Sequence, residues 1–176
     1  MKLEVGKKIE DFAFCTQSGC KDSFLNELKE DKNVLLFLRY IGCTVCSLAI
    51  IEIKDKYEEI KANGVEVYVV LQSDPEVLAE EIKDFDIPFE IIVDPEMKLY
   101  EKFSLERVED IQDGLGGKTM DRIAKANELG LEHGKYEGDE NQLPATFVLD
   151  KDGVVTYAKY GEDLTDTLYA DDMINL

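Results

Sequence analysis

Hydrophobic positions along the chain fall into short blocks separated by charged or turn-forming stretches. Val34, Leu35, Leu36, Phe37 and Leu38 form an unbroken apolar run, as expected of a strand buried on both faces. From Cys46 onward the period changes. Cys46, Ile50, Ile53, Tyr57 and Ile60 recur at alternating intervals of four and three, which is one face of a helix. Asn63-Gly64 then supplies residue types that tolerate a left-handed C-terminal cap. The unit predicted is a strand, a tight turn and one helix whose first turn carries two thiols.

Upstream, residues 3–24 read as a hairpin. Phe12 and Phe14 alternate with Ala13 and Cys15, Thr16-Gln17-Ser18-Gly19 is rich in turn formers, and Cys20 begins the return. This places Cys15 and Cys20 nearly opposite one another. Asp22-Ser23 can cap a short helix running to Glu30. Downstream, Val65 to Leu71 is a second apolar strand. Ser73-Asp74-Pro75-Glu76 opens a helix to about Phe85, with proline in its first turn. Phe89 to Val93 is extended, and Asp94-Pro95-Glu96 starts a small helix through Phe103. Residues 104–143 are rich in charge and glycine and carry one helix, Lys118 to Leu129. A stretch this long and irregular often covers a site. Leu143 to Leu149 and Val154 to Ala158 flank Asp150-Lys151-Asp152-Gly153 as a hairpin. The acidic end, 162–176, packs on the sheet through Leu164, Leu168, Met173 and Leu176.

Charge narrows the field of partners. Thirty-nine acidic against 20 basic residues give a net charge of −19, a surface that repels nucleic acid and anionic membranes. No run approaches the ~18 apolar residues of a spanning helix, and the stretch MKLEVGKKIEDF lacks a signal-peptide core. The expectation is one soluble, cytoplasmic domain over residues 1–176, with an insertion at about 104–142.

In that setting four cysteines point to redox or metal chemistry rather than to a disulfide scaffold. They are spaced C-x4-C at Cys15 and Cys20 and C-x2-C at Cys43 and Cys46. Cys43 and Cys46 lie between a buried strand and an amphipathic helix. Unpaired N–H groups and the helix dipole stabilise a thiolate there. Cys43, at the more exposed N-cap position beside Arg39, is the candidate nucleophile, and Cys46, one turn on, the resolving thiol. A four-thiolate zinc site is the competing reading, but zinc knuckles sit on short polar turns. Tyr40 reads as packing, although it could hydrogen-bond a substrate oxygen. His133, the one histidine, lies in a polar loop and reads as exposed. The run Gly114-Leu115-Gly116-Gly117-Lys118-Thr119 fails as a phosphate loop, because Gln112 stands where the first glycine belongs and no buried strand precedes it.

Taken together, strand, C-x2-C helix, strand, helix, and a proline entering a final hairpin resemble the thioredoxin fold. FLRYIGCTVC, PFEIIVDPEMKLYEKF and QLPATFVLDKDG look most like the AhpC/TSA, or peroxiredoxin-like, group. The resemblance implies an α/β fold with a central mixed sheet flanked by helices and an N-terminal β-hairpin extension. It also implies that Pro144 occupies the place where that family keeps a cis-proline beside the thiols. Peroxiredoxins of the common type carry Pro-x3-Thr-x2-Cys at the peroxide-reacting cysteine. Here Tyr40 stands in the threonine position and Leu36 in the proline position, and the later arginine is missing. The expectation is therefore a thiol-disulfide oxidoreductase using Cys43, Cys46, Pro144 and Arg39, with no cofactor. Its partners would be a disulfide protein or a small thiol donor. A two-cysteine peroxidase acting on hydroperoxides and a non-catalytic zinc- or partner-binding domain are the alternatives, and a homodimer is compatible with each.

Overall fold

The computed structural model describes residues 1–176. One seven-stranded sheet organises the chain: β1 Phe14–Thr16, β2 Gly19–Lys21, β3 Lys32–Phe37, β4 Val65–Leu71, β5 Glu90–Val93, β6 Ala145–Leu149 and β7 Val155–Tyr160. Their order is β2-β1-β5-β4-β3-β6-β7. The β3-β4 and β4-β5 pairs are parallel, and the outer pairs are antiparallel. The helices are α1 Thr44–Asp55, α2 Tyr57–Ala62, α3 Pro75–Glu81, α4 Lys98–Lys102, α5 Thr119–Glu128 and α6 Ala170–Ile174. This is the thioredoxin-like arrangement of a mixed sheet flanked by helices, with the hairpin β1-β2 added at one edge.

The apolar run of β3 is central because both of its faces are covered. Val34 and Leu36 enter the apolar cluster under α1 and α2, while Leu35 and Phe37 enter the cluster on the opposite face. Burying each such side chain is worth roughly 1.5–3 kcal/mol, so sliding the strand by one residue would not expose a polar face but would exchange two packed cores. Tyr100 of α4 ties this strand's exit to its neighbour. Its buried hydroxyl lies 2.6 Å from the Leu38 carbonyl and 3.0 Å from that of Val70.

Local sequence and structure differ at four places. The single predicted helix after Cys46 is broken at Lys56, whose amide is shared between the carbonyls of Glu52 and Ile53. The apolar face survives the break, since Ile53, Tyr57 and Ile60 are all buried. After Asp22-Ser23 only a 3-10 turn forms at Leu25–Glu27, capped from outside by the Asp11 carboxylate on the Leu25 amide at 3.0 Å. The Asp74-capped helix ends at Glu81, not Phe85. Asp94 does cap a helix, but across a loop: its carboxylate accepts from the amides of Lys98 and Leu99, with Met97 left-handed between them. No helix is long and apolar enough to cross a membrane.

Candidate active site

β3 ends at Phe37, and the chain turns through Leu38-Arg39-Tyr40-Ile41-Gly42 into α1. Two hydrogen bonds fix the turn: the Ile41 amide donates to Ser73 Oγ at 2.8 Å, and the Cys43 amide to the Tyr40 carbonyl at 3.1 Å. Cys43 is the N-cap of α1 in extended conformation, and the Ser47 amide donates to its carbonyl at 2.9 Å. Cys46 follows one turn later, inside the apolar cluster beneath the helix. Both thiols are free.

Arg39, 8% exposed, reaches across the turn so that Nη2 donates to Cys43 Sγ at 3.0 Å. Burial alone would push the Cys43 thiol up. The Cys46 thiol, the Arg39 charge and the Cys46 backbone N–H act against it and hold Cys43 at about 6. Cys46 moves the other way, well up, through burial and through its neighbouring Cys43. The pair is thus split into a thiolate and a thiol at neutral pH. Burial disfavours the Arg39 charge, but the two thiols and Glu140 outweigh it and keep the guanidinium ionised.

Cys43 is not exposed as its N-cap position suggested; its exposure is 0%. Cys43 belongs to the apolar cluster under α1, and the turn that precedes it is crossed by segment 131–140. The Gly134 amide donates to the Gly42 carbonyl at 2.9 Å, and a Cβ on Gly42 would lie 2.4 Å from the Lys135 carbonyl oxygen. Glu140 accepts from Arg39 Nη1 through its backbone carbonyl at 2.9 Å and through its carboxylate at 3.3 Å. The Tyr40 hydroxyl donates to the other carboxylate oxygen of Glu140 and lies 3.3 Å from His133 Nε2. Tyr40, fully buried, is therefore more than packing, and exposed His133 reaches the site's margin. Glu140 carried no sequence signal: it is one acid among many, 101 residues from its partner Arg39.

The structure brings Arg39, Cys43 and Cys46 together. Pro144 lies one step beyond the Phe37–Ala145 pair, beside the exit of β3. It is buried and its carbonyl accepts from the Gly161 amide at 2.9 Å. The chain contains no cis peptide bond, so the cis-proline expected from the resemblance is absent: the Leu143–Pro144 bond is trans, and the proline opens β6 at a position where no ladder donor is needed. Cys15 and Cys20 pair directly across β1-β2 and form a disulfide. The row Cys15–Val93–Leu71 lies across β1, β5 and β4, with β3 next. Three strand spacings, roughly 14 Å, separate this bridge from the strand that delivers Arg39. The four cysteines do not converge, as the zinc reading would require.

Comparisons with known proteins agree with this architecture. The profile of the AhpC/TSA family matches residues 5–158. Prostamide/prostaglandin F synthase of Aquarana catesbeiana is 25% identical over 77% of this chain and 68% of its own length. Thiol-disulfide oxidoreductase ResA of Bacillus cereus is 22% identical over 95% and 76%. A cysteine mutant of peroxiredoxin 6 from Arenicola marina superimposes with a TM-score of 0.73 at 14% identity, covering 98% of this chain and 70% of its own.

Proposed function

The chain belongs to the AhpC/TSA family, and from that premise we propose a thiol-disulfide oxidoreductase of peroxiredoxin-like type that works through Cys43 and Cys46. The observation that carries the reading is the Arg39 guanidinium, 3.0 Å from the sulfur of a free cysteine with a second free thiol one helical turn away.

The Cys43 thiolate attacks one sulfur of a substrate disulfide. A Cys43–substrate bond forms, the substrate's S–S bond breaks, and the first thiolate leaves. Cys46 then gives up its proton and attacks Cys43 Sγ, forming the Cys43–Cys46 disulfide and releasing the second substrate thiol. The substrate has gained two electrons and the dithiol has lost two. An external thiol returns the enzyme to the reduced state by the reverse exchange. Arg39 stabilises the attacking thiolate and again stabilises Cys43 as the leaving group. Pro144 is assigned a wall beside the thiols, a place where the backbone offers no N–H.

Arg39 also supports a second reading, reduction of a hydroperoxide. Thiolate attack on the O–O bond would leave Cys43 as a sulfenic acid and an alkoxide or hydroxide that takes up a proton. Cys46 would then condense with the sulfenic acid, releasing water. Fast peroxide cleavage needs donors on the departing oxygen, and Arg39 is the charged donor at this sulfur. Stopped-flow peroxide consumption beside a protein-disulfide reductase assay, each repeated with Cys43→Ser, separates the two. Disulfide reduction lost in Cys43→Ser, with slow peroxide turnover, supports the first reading. Rapid Cys43-dependent peroxide turnover without reductase activity would put the second in its place.

A further inference from the structure

Segment 131–140 is pinned at its two ends and lightly held between them. At its start, α5 closes with Gly130 left-handed and the Leu131 amide donating back to the Ala126 carbonyl at 3.0 Å. Leu131 also lines an apolar cavity of about 130 Å³ with Ile41, Ile50, Ile82 and Phe85. Past its end, the Leu143 amide and the Gln142 side chain both donate to the Glu106 carbonyl. The middle has no helix or strand. Tyr136 is exposed, and most of what seats the segment is polar: the Gly134–Gly42 bond, the Asp139 amide on Gln72 Oε1 at 2.6 Å, the Arg107–Asp139 ion pair at 3.0 Å, the Asp74 amide on Glu137 at 2.7 Å, and Glu140, beside the ring contacts of His133 and Tyr136 with Tyr40. A segment with few apolar contacts opens at low cost.

Glu140 differs from the other contacts because it touches the reacting group's own partner. Its carboxylate and carbonyl hold Nη1 of Arg39 while Nη2 faces Cys43. The same carboxylate takes the Tyr40 hydroxyl. We propose that Glu140 is the positioning and specificity-determining residue of the reaction: it latches residues 131–140 over Cys43 and, in the same contact, aims Arg39 at the sulfur. The activated thiol then lies beneath a lid, and small disulfides are admitted in preference to bulky ones. This rests on the reading of Cys43 as the nucleophile.

The test uses the full chain with Cys46→Ser and the Cys15–Cys20 bridge intact, so that Cys43 is the one free thiol. Its alkylation is timed with iodoacetamide and with a maleimide carrying a polyethylene glycol chain. Two variants open the lid by different means. Glu140→Ala removes the latch. Gly138→Ala leaves every charge in place but sets a Cβ 2.2 Å from Gln72 Oε1 and 2.7 Å from Tyr40 Cδ1, so the segment or the side chains beneath it must shift. Loss of a charge-assisted latch corresponds to about a tenfold rise in the open population. Both variants should therefore raise the bulky-to-small rate ratio about tenfold, and Glu140→Gln, which keeps an acceptor for Tyr40, should raise it less. A ratio unmoved in Glu140→Ala overturns the latch, and if both of its rates change together with the ratio unmoved, Glu140 is only a charge beside Arg39. If Cys43→Ser left disulfide reduction intact, the parent reading would fail instead, whatever the ratios.

Discussion

Arg39 donates to Cys43 Sγ from Nη2 at 3.0 Å while Nη1 is held by the Glu140 carbonyl at 2.9 Å. The guanidinium is gripped from both sides, and its planar fork gives each partner a separate nitrogen. A buried thiolate without such a partner would be strongly disfavoured. Here the cost of burying the thiolate and the cost of burying the arginine are offset against one another. The thiol that carries the charge is also the one at the helix start, where the dipole acts in the same direction.

Alkylation of Cys43 should follow its ionisation. With the thiol held at about 6, the thiolate gains population as pH rises through 6 and is nearly complete by neutral pH. In Cys46→Ser the rate should climb through roughly that region and then level off; iodoacetamide rates across the range measure it. The substitution also removes one of the groups that favour the thiolate, so the midpoint should move somewhat upward. A midpoint at or above the ordinary thiol value of about 8.5 would contradict the assignment of Cys43 as the activated thiol.

Replacing Arg39 by Met should raise the Cys43 midpoint by about 1–2 units, the range for loss of an adjacent opposite charge. At pH 7 that lowers the thiolate fraction and the reaction rate by up to roughly tenfold. The same change destabilises the reduced dithiol relative to the disulfide, so the potential should fall, by about 30 mV for each tenfold shift in equilibrium. Arg39→Lys keeps the charge but loses the fork, and should fall between. Glutathione redox titration with thiol pKa measurement on the same variants checks both. An unchanged potential in Arg39→Met would remove Arg39 from the site.

Much of this was legible in the chain because it is local. The run Val34 to Phe37 is contiguous since both faces of β3 are covered, and the strand-turn-helix unit follows from a change of period at Cys46. The facing of Cys15 and Cys20 follows from the turn-forming residues between them, of which Gln17 and Ser18 make the turn. The packing of residues 131–140 on the turn before Cys43 and the contact of Glu140 with Arg39 were not legible. They depend on a segment without periodicity folding back about a hundred residues in sequence, seated by glycines at 134 and 138 whose value lies in close approach rather than in pattern. Neither the break at Lys56 nor the early end of α3 has a proline or glycine to announce it.

Tyr100→Phe should lower stability by roughly 1–2 kcal/mol, because the buried carbonyls of Leu38 and Val70 lose their hydroxyl partner. Urea denaturation should show a lower midpoint with unchanged slope. The hydroxyl lies at the strand exit and does not contact the sulfur, so the Cys43 ionisation should stay where it is. A shifted Cys43 midpoint in this variant would mean that the exit of β3 sets the position of Arg39 more directly than Glu140 does.

The two cysteine pairs should behave as independent units. Peptide mapping of the oxidised protein should find a Cys43–Cys46 bridge within one chain and a Cys15–Cys20 bridge beside it. Thiol exchange requires sulfur to meet sulfur, and the hairpin bridge lies three strands from the strand that delivers the site. The double change Cys15→Ser/Cys20→Ser opens a short loop, for which chain-entropy reasoning gives a loss of up to about 2 kcal/mol. Stability should therefore fall while turnover and the potential of the Cys43–Cys46 pair remain as they were. Should turnover drop while the fold persists, electrons would have to pass through the hairpin, and a movement bringing β1-β2 to α1 would then have to be part of the cycle.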